Sequence, residues 1–137
     1  MSLLDVFDIT GSAMGAQNVR LNTVASNLAN VDTASPTAEG AYKARQPVFA
    51  AVMNALQRDG EGVPVRVAAV VESQVPARME YLPGHPLANE EGYVFFSNVN
   101  PVEEMANMMS ASRSYQNNAE VFNTAKQLLL KTLALGQ

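Results

Sequence analysis

Cysteine is absent from this chain. That excludes a disulfide, a thiolate nucleophile and a Cys-ligated zinc, and it is compatible with either an oxidising or a reducing compartment. Charge is scarce too. Only 16% of the 137 residues are charged, against roughly 25% in ordinary soluble domains. The net charge is −4 and there is no basic run, so nucleic acid is excluded as a partner. No stretch approaches the ~18 consecutive apolar residues of a membrane-spanning helix. Residues 1–15 carry Asp5 and Asp8 and no basic residue, so the basic start of a Sec signal peptide is missing. On these general signals alone the chain reads as cytosolic.

The chemistry-bearing side chains are equally sparse. The single histidine, His85, lies in Pro83-Gly84-His85-Pro86. With no second His or Cys as partner it reads as a turn residue. Glu90-Glu91 and Glu103-Glu104 are adjacent carboxylates. Neighbours on a strand or helix point different ways, so both pairs read as solvated charges or salt-bridge partners. Ser110, Ser112 and Ser114 have no base beside them, and no phosphate loop, GxSxG elbow or HExxH occurs. The expectation is a protein with no enzymatic activity, no cofactor and no metal.

What the chain does have is hydrophobic content, 47%, arranged in two lines of large residues at its opposite ends. Phe7, Met14, Leu21 and Leu28 repeat every seven positions, and so do Met108, Tyr115, Phe122 and Leu129. A sustained seven-residue period marks a helix that packs lengthwise on another. Helix one is predicted over Leu4–Asn30, with Ser2 and Asp5 as a capping box. Gly11 and Gly15 share one face of it, as a weak first stretch or as a place of close helix approach. Its remaining face carries Gln17, Asn18, Asn22, Thr23, Ser26 and Asn27 where an ordinary surface helix would carry Lys and Glu. Amides and hydroxyls are buried against polar partners at lower cost than charges, so this face is expected to meet neighbours. Helix two is predicted from Pro101 to about Leu133. Asn100 is its N-cap, Glu103 sits in the capping-box position and Gly136 is the stop. Met105, Ala119 and Leu133 widen its apolar face, and Ala111 and Ala125 permit close packing. Met105, Met108 and Met109 serve either as seam filling or as an adaptable binding face.

Residues 32–99 change character and hold most of the proline and glycine. Ala34–Ala41 reads as a loop. Tyr42–Val48 is extended, with Pro47 arguing for an edge. Phe49–Gln57 is either strand or one or two helical turns, and Arg58–Gly62 is a turn. A strand begins at Val63, with Val65 and Val67 alternating, and continues through Val71. Arg78–Leu82 and Tyr93–Phe96 are short strands either side of the Pro83–Pro86 turn. The predicted fold is mainly α with a small β-rich insertion, its long N- and C-terminal helices paired as an antiparallel coiled coil. The domains are 1–31 with 100–137 as a discontinuous helical unit, and 32–99 as a middle region packing outside it.

Three ordered motifs carry a family resemblance. The run Ala25-Ser26-Asn27-Leu28-Ala29-Asn30-Val31-Asp32-Thr33, followed by Ala41-Tyr42-Lys43, resembles the N-terminal signature of bacterial flagellar rod and hook proteins. Asn98-Val99-Asn100-Pro101-Val102-Glu103-Glu104-Met105, Ser110-Ala111-Ser112-Arg113-Ser114-Tyr115-Gln116-Asn117-Asn118 and Leu130-Lys131-Thr132-Leu133 resemble the C-terminal one. Tyr81–Ala88 and Gly92-Tyr93-Val94 are similar to the proximal-rod type. The resemblance implies a structural subunit of the basal-body rod whose terminal helices form an axial coiled-coil domain enclosing the export channel. It implies a periplasmic location reached through the flagellar type III export apparatus, which replaces the cytosolic reading. The implied partners are other rod subunits, the adaptor joining rod to membrane ring, and the distal rod protein. The implied motif or intersubunit residues are Asn27, Asn30, Tyr42, Ser112, Tyr115 and Asn118. A free-standing helical adaptor or export chaperone is the alternative from the residues alone.

Overall fold

A computed structural model describes residues 3–52 and 62–135. The elements in chain order are α1 (Leu3–Ala29), β1 (Ala34–Ser35), β2 (Arg45–Ala51), β3 (Val65–Glu72), β4 (Arg78–Tyr81), β5 (Tyr93–Phe96) and α2 (Pro101–Leu135). Ser2 of the expected capping box, Gly136, and the stretch 53–61 with most of the expected turn Arg58–Gly62 lie outside the described residues.

Both helices form where local chemistry asks for them. At the start of α2 the Asn100 Oδ1 accepts the backbone N–H of Val102 (3.1 Å) and of Glu103 (3.4 Å), two of the donors a helix start leaves open. Along α1 the hydroxyls of Thr10 and Thr23 donate to the carbonyls of Val6 (2.6 Å) and Val19 (2.8 Å). Hydroxyls satisfied within their own helix can be buried, and both threonines are. With 27 and 35 residues the helices are ~40 Å and ~52 Å long.

The two helices pack against each other and run in opposite directions. Phe7 meets Phe122 edge to face, with ring centroids 4.8 Å apart, and the Arg20 guanidinium donates to Asn107 Oδ1 at 2.8 Å. That register leaves about nine residues of α2 beyond Leu3, an overhang of ~13 Å.

The middle of the chain forms two small antiparallel sheets. β2 and β3 make a two-stranded ribbon with a bulge between Val48 and Phe49, and Pro47, which has no N–H to donate, pairs with Val70 on this ribbon with two free edges. The ribbon lies along α1: Ser12 Oγ accepts the N–H of Val65 at 3.1 Å, and Asn27 holds Arg45. The other sheet has the order β1-β5-β4. Ala34–Ser35, expected as loop, pairs with Phe96 and Phe95. A two-residue strand made by a partner some sixty positions away has no local signature. Gly92 closes the β4–β5 hairpin at φ 82°, a conformation that glycine adopts freely, and a Cβ there would meet the Tyr81 ring at 2.8 Å.

The interior is unusual in what fills it. The buried apolar residues are Ala16, Val24, Ala41, Ala44, Val94, Val99, Ala111 and Ala125. Among the described residues no Leu, Ile, Met or Phe is fully buried. The alternation expected from Val63 onward fades after Val67, and Val70 and Val71 are exposed. The chain presents 9266 Å² of accessible surface, whereas a compact monomer of its 14.7 kDa presents about 6,900 Å². The excess, about 2,300 Å², equals what one partner contributes to roughly three standard interfaces.

Candidate assembly surface

Where the two helices meet the middle region, the polar side chains of the sequence motifs are used within the chain. Asn27 is 1% exposed. Its Nδ2 donates to the Arg45 carbonyl (2.8 Å) while its Oδ1 accepts the Arg45 N–H (2.9 Å) and the Tyr42 hydroxyl (3.0 Å). An amide that matches both backbone groups of one residue fixes the start of β2 against α1, because a buried unpaired N–H or C=O is costly. The Tyr42 hydroxyl also lies 3.2 Å from Ser26 Oγ. Ser97 Oγ donates to the Val31 carbonyl at 2.9 Å. Asn98 accepts the Ala44 N–H and donates to the Val75 carbonyl, each at 2.6 Å. Four stretches distant in sequence are thereby fastened at one end of the helix pair.

The expected neighbour-facing amide row therefore divides. Asn18 and Asn22 are exposed, but Thr23 and Asn27 are buried inside the chain. Asn30, in the turn after α1, donates to the Ser26 carbonyl, and Asn118 donates to the Ser114 carbonyl within α2, both at 2.8 Å. Ser112 and Tyr115 are half-buried. His85 sits in its turn, its Nδ1 accepting the Leu87 N–H at 3.1 Å.

The seven-residue period has two lines on each helix. Phe7, Met14, Leu21 and Leu28 on α1, and Met108, Tyr115, Phe122 and Leu129 on α2, are all half-buried. Three positions after the first line run Thr10, Gln17 and Val24, and four positions before the second run Glu104, Ala111, Asn118 and Ala125. These companion lines contain all three buried residues of α2, Glu104, Ala111 and Ala125, and two of the five of α1, Thr10 and Val24. Small or polar residues escape a search for large apolar periodicity, but their spacing is the signal that would have found them. Gly11 and Gly15 face open space, so no close approach within this chain accounts for them.

Toward the other end the helix pair is apolar and uncovered. Val121, Leu128, Leu130, Leu133 and Leu135 are exposed on α2, as is Leu4 on α1. Met105 and Leu133, expected to widen the packed face, are both more than half exposed. Between the helices a mostly apolar groove of about 510 Å³ is lined by Leu3, Val6, Val121, Ala125 and Leu128. Exposed apolar area on this scale marks an interaction surface.

One expectation about charge is overturned. Glu103 is solvated, but Glu104 is 4% exposed, and its Oε2 is buried without a hydrogen-bond partner. It falls on the helix-facing companion line, which sets its burial whatever its charge. Glu104 lines a polar pocket of about 400 Å³ together with Arg20, Arg45, Gln46 and Asn107. Among the described residues no group of His, Asp or Glu side chains is placed to hold a metal ion, and no helix is long and apolar enough to cross a membrane.

Residues 7–37 match the family described as flagella basal body rod protein, and residues 90–135 match the C-terminal family of the flagellar basal body rod FlgEFG proteins. Over the whole of both chains, this sequence is 53% identical to the flagellar basal-body rod protein FlgC of Salmonella typhimurium and 50% identical to that of Yersinia enterocolitica. The FlgC protein of Borreliella burgdorferi is 32% identical over all of this chain and 99% of its own length.

Proposed function

We propose a mechanical role from one premise: this chain belongs to the FlgC flagellar basal-body rod proteins, structural components of the basal body and not enzymes. In this reading residues 1–31 and 100–137 form the axial unit of the rod, and residues 32–99 form the outer one. The helices pair as an antiparallel coiled coil. Its seam joins Phe7, Met14, Leu21 and Leu28 to Met108, Tyr115 and Phe122, while Leu129, level with no residue of α1, meets another subunit. Lengthwise packing within and between subunits then carries torque around a central export channel.

The observation that supports this reading is the pairing of an alanine- and valine-only buried apolar set with about 2,300 Å² of surplus surface. Burying a large apolar side chain contributes ~1.5–3 kcal/mol, and in this chain part of that contribution is left for neighbours to supply. The partners we infer are other proximal-rod subunits, the adaptor to the membrane ring and the distal rod protein. We further infer delivery by the flagellar type III apparatus to a periplasmic rod, without a Sec signal.

Leu21→Asp or Phe122→Asp tests the seam. Each is expected to abolish rod assembly and swimming in a strain dependent on this chain. Normal swimming with either substitution rejects the seam.

A further inference from the structure

We propose that the pocket around Glu104 receives a cationic side chain, lysine or arginine, from an adjacent rod subunit, an inference that rests on the rod reading above. The starting point is an imbalance within the chain. A carboxylate oxygen is buried with no donor. A charge removed from water is costly unless it is paired and hydrogen-bonded. Arg20 and Arg45 line the same pocket, but neither forms an ion pair with Glu104. Arg45 pairs with Glu72 at 3.3 Å and its guanidinium carbon lies 5.7 Å from the centre of the Tyr42 ring. Arg20 donates to Asn107.

The pocket suits such a guest. Its apolar wall is Val24, Pro47 and Phe49, against which the aliphatic stem of a long basic side chain packs. Its inner end holds the Glu104 carboxylate, and exposed Glu103 stands at the same pocket with a second negative charge. Three elements build it: α1 with Arg20 and Val24, β2 with Arg45 to Phe49, and the first turn of α2. The guest's head would lie near the N-terminal end of α2, where the helix dipole opposes a cation. Recognition therefore depends on the full charge of Glu104 and not on a neutral acceptor in its place.

This dependence gives a test that separates charge recognition from packing. In a flagellated species deleted for its own copy, complementation by the parent chain, Glu104→Gln and Glu104→Asp is compared. The readouts are the yield of rods in isolated basal bodies and the amount of subunit exported. Glutamine keeps the shape and loses the charge; aspartate keeps the charge on a shorter stem. Charge recognition predicts at least a tenfold loss of rods for Glu104→Gln at unchanged export, with Glu104→Asp retaining more rods than Glu104→Gln. The proposal is overturned if the order is reversed, if both variants assemble like the parent, or if Glu104→Gln reduces export and rods alike. Failure of the parent chain to build rods would reject the rod reading itself.

Discussion

At one end of the helix pair, Asn27, Tyr42, Ser97 and Asn98 direct their polar atoms at the chain's own backbone and hydroxyls, so the middle region is fastened to the helices within one subunit. At the other end, Val121, Leu128, Leu133 and Leu135 are bare, and α2 runs on past the start of α1. The difference lies in the kind of interaction as much as in the amount. Hydrogen bonds are directional, so a buried amide such as Asn27 specifies one partner geometry and orients the helices on the middle region. Apolar contact is non-directional, so it leaves the exposed helix ends free to bind whatever surface a neighbour brings.

Four substitutions sharpen or break that contrast. Asn27→Ala leaves the N–H and C=O of Arg45 and the Tyr42 hydroxyl without their partner. It should lower the stability of the purified full chain by about 3 kcal/mol, read from denaturant unfolding. Ala111→Leu puts three more carbons into a position that is 0% exposed. Overpacking there should cost about 2 kcal/mol in the same measurement and reduce rod yield. Asn100→Ala removes the cap of α2 and should cost about 1 kcal/mol. Leu133→Ala changes a side chain that is 60% exposed, and should shift the isolated chain by less than about 0.5 kcal/mol. Its effect belongs in the assembled state, where fewer rods per cell are expected. A large loss of monomer stability from Leu133→Ala, or none from Asn27→Ala, would reverse the contrast.

The features legible from sequence were the local ones. The Asn100-Pro101 start of α2, the extents of both helices and the short strands near 65–72, 78–81 and 93–96 all follow from capping, period and turn chemistry. Three features were not legible, each because its partner is far away along the chain. Ala34–Ser35 becomes a strand only beside β5. Asn27, read as part of an outward amide face, turns inward because Arg45 and Tyr42 meet it there. Glu104 is buried because it shares a helix-facing line with Ala111 and Ala125, and a search for large apolar residues passes over a line of glutamate, alanine and asparagine. The candidate assembly surface was visible as a shortage of charge and an excess of amides, but those two counts do not say which amides point inward.

The central claim is that the hydrogen-bonded junction with the middle region forms in the single subunit, whereas the apolar far end of the helix pair is covered only by assembly. Amide hydrogen exchange, compared between the purified full chain and isolated basal bodies, measures this segment by segment. The account predicts strong protection of residues 24–30, 44–48 and 97–107 in both samples, and protection of residues 3–10 and 121–135 that rises at least a hundredfold on assembly. Equal protection of the two ends in the purified chain would contradict it.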